Sequence, residues 1–166
     1  MSDPKQQVAD VLRTAIKGEE DGYRFYNLLA EKATNPDAKK KLEGLRDDEQ
    51  RHKVTLVALF EQYVGGEIGE LPPKGITALA EVFRKGHLEE RKTEMEFLSL
   101  AIEAELAATK YYQMQKEAVA DPAFQSIFDQ LADEEHNHYE LLMAEKEALS
   151  GNYYWFEYGD TSPLEH

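Results

Sequence analysis

Apolar residues recur along this chain at three- and four-residue spacing, the period of a helix with one buried face. Val8, Val11, Leu12, Ala15 and Ile16 form one such stripe; Leu42, Leu45, His52 and Leu56 contribute to another. Asp3-Pro4, Asn35-Pro36 and Asp121-Pro122 each place a capping side chain before a proline. The cap accepts a hydrogen bond from a free backbone N–H, and proline has no N–H to leave unpaired at the first helical position. Gly65-Gly66 and Gly151 suit helix stops. The pattern predicts four long helices, at about 4–34, 36–64, 91–120 and 122–149.

Tight turns join the first helix to the second and the third to the fourth, which makes each pair antiparallel. Between the pairs lies a connector, 65–90, with Gly65-Gly66, Gly69, Pro72-Pro73 and Gly75, and room for a short helix around 76–85. A helix of about 30 residues is about 45 Å long, and the connector is long enough to run back along it. The second and third helices then run parallel. The expected fold is an all-α four-helix bundle over residues 1–150 with one long crossover. An aromatic tail, 151–163, follows. The final Leu164-Glu165-His166 resembles the start of a cloned affinity tag, so His166 stays out of the site reasoning.

The two halves repeat. Ala15-Ile16-x-x-Glu19 returns as Ala101-Ile102-x-x-Glu105, Phe25-Tyr26 as Tyr111-Tyr112, Pro36 as Pro122, Leu45 as Leu131, and Glu49-x-x-His52 as Glu135-x-x-His138, always 86 residues on. That period is too long for a solenoid. It describes two helical hairpins related by a pseudo-twofold.

Composition narrows the chemistry. With no cysteine there is no disulfide framework and no thiolate metal site. A net charge of −14 argues against nucleic acid as a partner and favours attraction of cations. Most of these charges are expected on a solvated surface. No apolar run approaches the roughly 18 residues of a membrane span, and no signal segment opens the chain. The expectation is a soluble, cytoplasmic protein.

Glu19, Glu49, Glu105 and Glu135 each fall near the midpoint of their own predicted helix. Antiparallel helices of equal length bring their midpoints to one level. Residues at i and i+3 share a face, so His52 points with Glu49 and His138 with Glu135. Six ligand-type side chains therefore converge at one height in the core. Without metal, each buried carboxylate would cost several kcal/mol. Two divalent cations offset four carboxylates, +4 against −4, and two neutral imidazoles add ligands without charge. Carboxylate-rich sites with one imidazole per metal suit iron or manganese; zinc fits but has no redox chemistry. Tyr26 and Tyr112 lie seven residues after Glu19 and Glu105 on the same face. Each suits a hydrogen bond to a ligand carboxylate, a local electron source, or an aromatic core position with a satisfied hydroxyl.

These residues resemble the ferritin-like di-iron carboxylate proteins, in which a Glu and a Glu-x-x-His come from each half. Ala-Ile-x-x-Glu-x-x-Gly-x-x-Phe-Tyr at 15–26 and Asp-Glu-x-x-His at 48–52 resemble the rubrerythrin-like branch, as do 101–138. The resemblance implies two iron ions held by Glu19, Glu49, His52, Glu105, Glu135 and His138, with Glu49 and Glu135 bridging. It implies reduction of hydrogen peroxide or dioxygen, and a homodimer. It also suggests that Asp48 orients a histidine of the other half; Glu134 is its repeat partner. Two departures stand out. Rubrerythrin proper carries a rubredoxin-type domain with four cysteines, so here the electrons would come from an external donor protein. It also has a further Glu where this chain has Ile102; Glu103 faces the opposite side of the helix from Glu105. The alternatives are a ferroxidase or iron-handling protein and a non-catalytic helical scaffold. His136 and His87 are expected at the surface, and Tyr23 and Tyr111 in packing roles.

Overall fold

The computed structural model describes residues 3–77, 79, 93–151 and 153–156. Four helices are present: α1 Pro4–Lys32, α2 Pro36–Tyr63, α3 Glu94–Ala118 and α4 Pro122–Ala148. The three Asx-Pro starts act as read from the sequence. Asp3 accepts from the N–H of Lys5, Asn35 from Asp37 and Ala38, and Asp121 from Ala123 and Phe124. The third helix begins later than the apolar pattern predicts. Thr93 and Glu96 form a capping box there, each side chain bonded to the other's backbone N–H, a device worth about 1 kcal/mol.

Contacts across the bundle set the directions. Tyr63, at the end of α2, donates to Asp121, in the turn that joins the end of α3 to α4. At the other end the α1–α2 turn and the start of α3 meet the same tail residue, Trp155. The second and third helices therefore run parallel, and the crossover between them is long. Its described part climbs along α1. Ile68 O accepts from Arg13 Nε at 2.7 Å. Higher up, Gly75 lies against the backbone of Gly18, so close that a Cβ at 75 would stand 2.7 Å from Gly18 N. Only glycine allows that approach. The predicted short helix at 76–85 falls almost wholly outside the described residues, as does His87.

The apolar core is split into two clusters with a polar layer between them. One gathers Phe25, Tyr26, Leu29, Phe97, Leu98 and Trp155 toward the α1–α2 turn. The other gathers Leu12, Ile16, Phe60, Tyr112 and Phe128 toward the α3–α4 turn. The tail closes the first end. Trp155 is 1% exposed, and its backbone N–H and that of Phe156 donate to Glu94. Its indole N–H donates to Glu145 at 3.1 Å, and Glu145 in turn holds Lys41 at 2.6 Å. The carbonyl of Trp155 accepts from Thr34 and Asn35. An aromatic chain end whose role the sequence leaves open thus caps the bundle.

Candidate metal centre

All six residues expected to converge do so, in the layer between the two apolar clusters. Glu19, Glu49, His52, Glu105, Glu135 and His138 are each at least 95% buried. Their ligand-type atoms form two overlapping sets: Glu19, Glu49, His52 and Glu135, and then Glu49, Glu105, Glu135 and His138. Within each set the atoms lie within 4.8 Å of one another. Glu49 and Glu135 belong to both. The two imidazoles stack at 5.9 Å between centroids.

The polar atoms in this layer are not satisfied by the protein. Glu19 Oε2, Glu49 Oε1, Glu105 Oε2, Glu135 Oε1, both ring nitrogens of His52 and Nδ1 of His138 are buried without a hydrogen-bond partner. His52 Nδ1 lies 2.8 Å from Glu135 Oε1 without the geometry of a hydrogen bond. Buried polar groups are almost always paired. A concentration of unpaired oxygens and imidazole nitrogens on six adjacent side chains is the donor set a pair of divalent cations requires.

The electrostatics carry the same tension. Burial, then repulsion from Glu135, Glu19 and Glu105, pushes the Glu49 carboxyl well above its ordinary value of 4.5. Burial and the charges of Glu105 and Glu19 do the same to Glu135. Burial also raises Glu19, but the close approach of Glu49 and His52 and the Tyr112 hydrogen bond hold it below 4.5. For His138, burial lowers the value, yet Asp48 and Glu105 outweigh it and push it up to about 10. For His52, burial is outweighed by Glu19. The protein alone therefore keeps protons in this layer that a metal would displace.

Both tyrosines serve the carboxylates, but crosswise. Tyr26 of the first hairpin donates to Glu105 Oε1 of the second at 2.6 Å. Tyr112 of the second donates to Glu19 Oε1 of the first, also at 2.6 Å. Burial first, and the accepting carboxylate second, raises both phenols well above 10, so they remain donors. Tyr111 instead donates to Val11 O.

On the histidine side an outer acidic pair stands behind the rings, and Asp48 bonds one of them. His138 Nε2 meets Asp48 Oδ2 at 2.9 Å, and Glu134 Oε2 lies 3.4 Å from His52 Nε2. Arg51 joins them, contacting Asp48 at 3.1 Å and Glu134 at 2.8 Å. The imidazole of His138, aided by Arg51 and opposed by burial, lowers the Asp48 carboxyl to about 2. Arg51 carries no sequence signal. Gly22 carries one that is easy to pass over: a glycine in mid-helix is costly, and here a Cβ would stand 2.8 Å from Glu49 Oε2. Its repeat equivalent, Ala108, is also small. Ile102 is half-buried and packs on the apolar cluster, while Glu103 is exposed. His136 is exposed, beside Glu140.

A family model for rubrerythrins matches residues 10–95 and 96–158. The chain belongs to the rubrerythrin family. Among solved structures, a hypothetical protein from Pyrococcus furiosus is similar at 29% identity and a TM-score of 0.73, with 91% of this chain and 93% of that one covered. CopM in its Cu(I)-bound form is similar at 13% identity and a TM-score of 0.66, with 87% and 98% covered; that likeness shows the fold alone. No curated protein matches. Rubrerythrins are di-iron carboxylate proteins, and the buried Glu and His layer fits such a site. No helix among the described residues is long and apolar enough to cross a membrane.

Proposed function

We propose that this rubrerythrin-family chain holds two iron ions and reduces hydrogen peroxide or dioxygen with electrons from an external donor protein. The observation that carries the reading is the layer of unpaired buried oxygens and imidazole nitrogens on Glu19, Glu49, His52, Glu105, Glu135 and His138. Glu49 and Glu135, common to both sets, would be shared by the two ions. Glu19 with His52 would hold one ion, and Glu105 with His138 the other. Manganese or zinc would fit the same donors. Iron, when bound, supplies one-electron redox steps and Lewis acidity.

The chain's own residues do the rest. Tyr26 and Tyr112 hold one oxygen each of Glu105 and Glu19 and leave the other free for a metal. Asp48 fixes the imidazole plane of His138, and Glu134 stands 3.4 Å from His52 Nε2. The two apolar clusters exclude bulk water on either side. For hydrogen peroxide the balance is H2O2 + 2 H⁺ + 2 e⁻ → 2 H2O, with both electrons supplied ultimately by the donor.

The test begins with anaerobic loading by Fe(II) and metal analysis, which should give about two ions per chain. Mixing with peroxide or oxygen should then produce a ferric absorbance. Glu49→Ala and His138→Ala should lose the metal. An oxidant-insensitive spectrum in fully loaded protein would overturn the redox role. A chain that takes up no metal would overturn the whole reading.

A further inference from the structure

The carboxylate face of the centre, opposite the histidines, holds a cavity of about 10 Å³, close to the room one water molecule needs. All four glutamates line it, and neither histidine does. Small residues make the space. Gly18 and Ala104 precede Glu19 and Glu105 by one residue, and Gly22 and Ala108 follow them by three; all four line the cavity. Its outer wall comes from the connector, through Ile76, Thr77 and Leu79. Ile76 packs 3.2 Å from where a Cβ at Gly18 would be.

A second, larger cleft of about 310 Å³ lies outside it, between the connector and α3. The two spaces share Ile76, Thr77, Leu79 and Ala104. These four therefore stand between the two spaces. The other face is closed by charge: Arg51 ties Asp48 to Glu134 directly behind the two imidazoles.

We propose that the oxidant reaches the centre by passing from the outer cleft between these four residues, and that Ile76 and Ala104 set the width of that route. It admits hydrogen peroxide, dioxygen and ligands of comparable size, and excludes hydroperoxides that carry a branched or aromatic carbon. Thr77 is buried and its hydroxyl accepts from the N–H of Leu79 at 3.3 Å, a local turn within the connector where it forms the wall. Ala104 is on the helix side, so any added carbon there projects into the same space. The proposal rests on the metal reading above and goes further by naming the size class of substrate and the residues that select it.

The experiment uses protein loaded with Co(II), whose visible bands report ligand entry without turnover. The probes are azide, which is narrow, and benzoate, which carries a ring. Azide should shift the bands of the wild type, whereas benzoate should bind at least about 100-fold more weakly. Ile76→Ala should strengthen benzoate binding by about tenfold or more and leave azide affinity within about threefold. Ala104→Leu should slow azide association by about tenfold or more while cobalt uptake stays at two ions. In iron-loaded protein, hydrogen peroxide and cumene hydroperoxide should follow the same order. Equal binding of benzoate and azide to the wild type would overturn the size selection. An unchanged azide rate in Ala104→Leu would overturn the route. Failure to take up cobalt would overturn the metal reading and this inference together, whereas the first two results would leave the metal reading standing.

Discussion

Replacing Gly22 with alanine separates stability from metal binding. Gly22 sits inside α1, where glycine is about 0.8–1.0 kcal/mol less favourable than alanine. On propensity alone the exchange stabilises. The new Cβ, however, would stand 2.8 Å from Glu49 Oε2 and 3.3 Å from its Cδ. The obstacle is the end of a flexible side chain, so the helix stays and the carboxyl moves. Moving it cancels part of the gain. In metal-free protein the net change should lie between zero and about +1 kcal/mol, at most a rise of about 2–4 °C in Tm. Metal binding should weaken, because Glu49 belongs to both ligand sets; a displaced ligand should cost at least about tenfold in affinity, or 1.4 kcal/mol. Gly44 supplies the control. It lies in α2 with nothing within 4 Å of an added Cβ, so Gly44→Ala should gain stability and leave metal affinity alone. Thermal melts with and without chelator, and Co(II) titrations of both variants, measure the two effects. Unchanged affinity in Gly22→Ala, or an equal loss in Gly44→Ala, would refute the reasoning.

Three further outcomes follow from the site and the tail. Tyr26→Phe and Tyr112→Phe each remove one buried 2.6 Å bond to a carboxylate, and urea unfolding should show each losing about 1.5–3 kcal/mol; a loss below 0.5 kcal/mol in both would contradict the pairing. Metal-free protein should lose stability as pH rises. Glu49 and Glu135, raised in the folded state, keep protons above 4.5 that the unfolded chain releases, and the His138 contribution, full below 6.5, is lost by about 10. Chelated protein whose midpoint in urea climbs over that window would show the sign to be wrong. Trp155→Ala should cost about 3–5 kcal/mol while the count of bound metal ions stays the same, since Trp155 lies at the bundle end among Glu94 and Glu145; metal loss in a folded variant would count against that separation.

Much of this architecture is written in local signals. The caps at Asp3, Asn35 and Asp121 are short-range chemistry, and the repeat of Glu-x-x-His fixes a helix face and a level without any knowledge of packing. What stays hidden is set by pairs far apart in the chain. The choice of Glu105 over Glu19 by Tyr26 depends on which helices are neighbours across the bundle. Arg51 acts only because Asp48 and Glu134 come from different hairpins and face it together. The seat of Trp155 is built from both ends of the fold. The closeness of Gly75 to Gly18 depends on the path of the crossover. The smallness of residues 18, 22, 104 and 108 was visible, but its meaning required the cavity they border.

The crosswise tyrosine bonds have a consequence for what the two halves are worth apart. Each phenol anchors a glutamate on the opposite hairpin, so neither hairpin alone finishes even one half of the centre. Divided in the crossover, the chain would yield two fragments that each expose an acidic, unbalanced face and recover a complete donor set only on reassociation. Yet each hairpin contributes to the centre one single Glu, one Glu-x-x-His and one tyrosine. Two copies of either would therefore present every group the centre needs, about a true twofold axis. The present molecule has the form of a fused symmetric pair: two-fold in its six central groups and its two tyrosines, and unlike around them, where Arg51 is matched by Asn137 and Asp48 by Glu134 in the repeat.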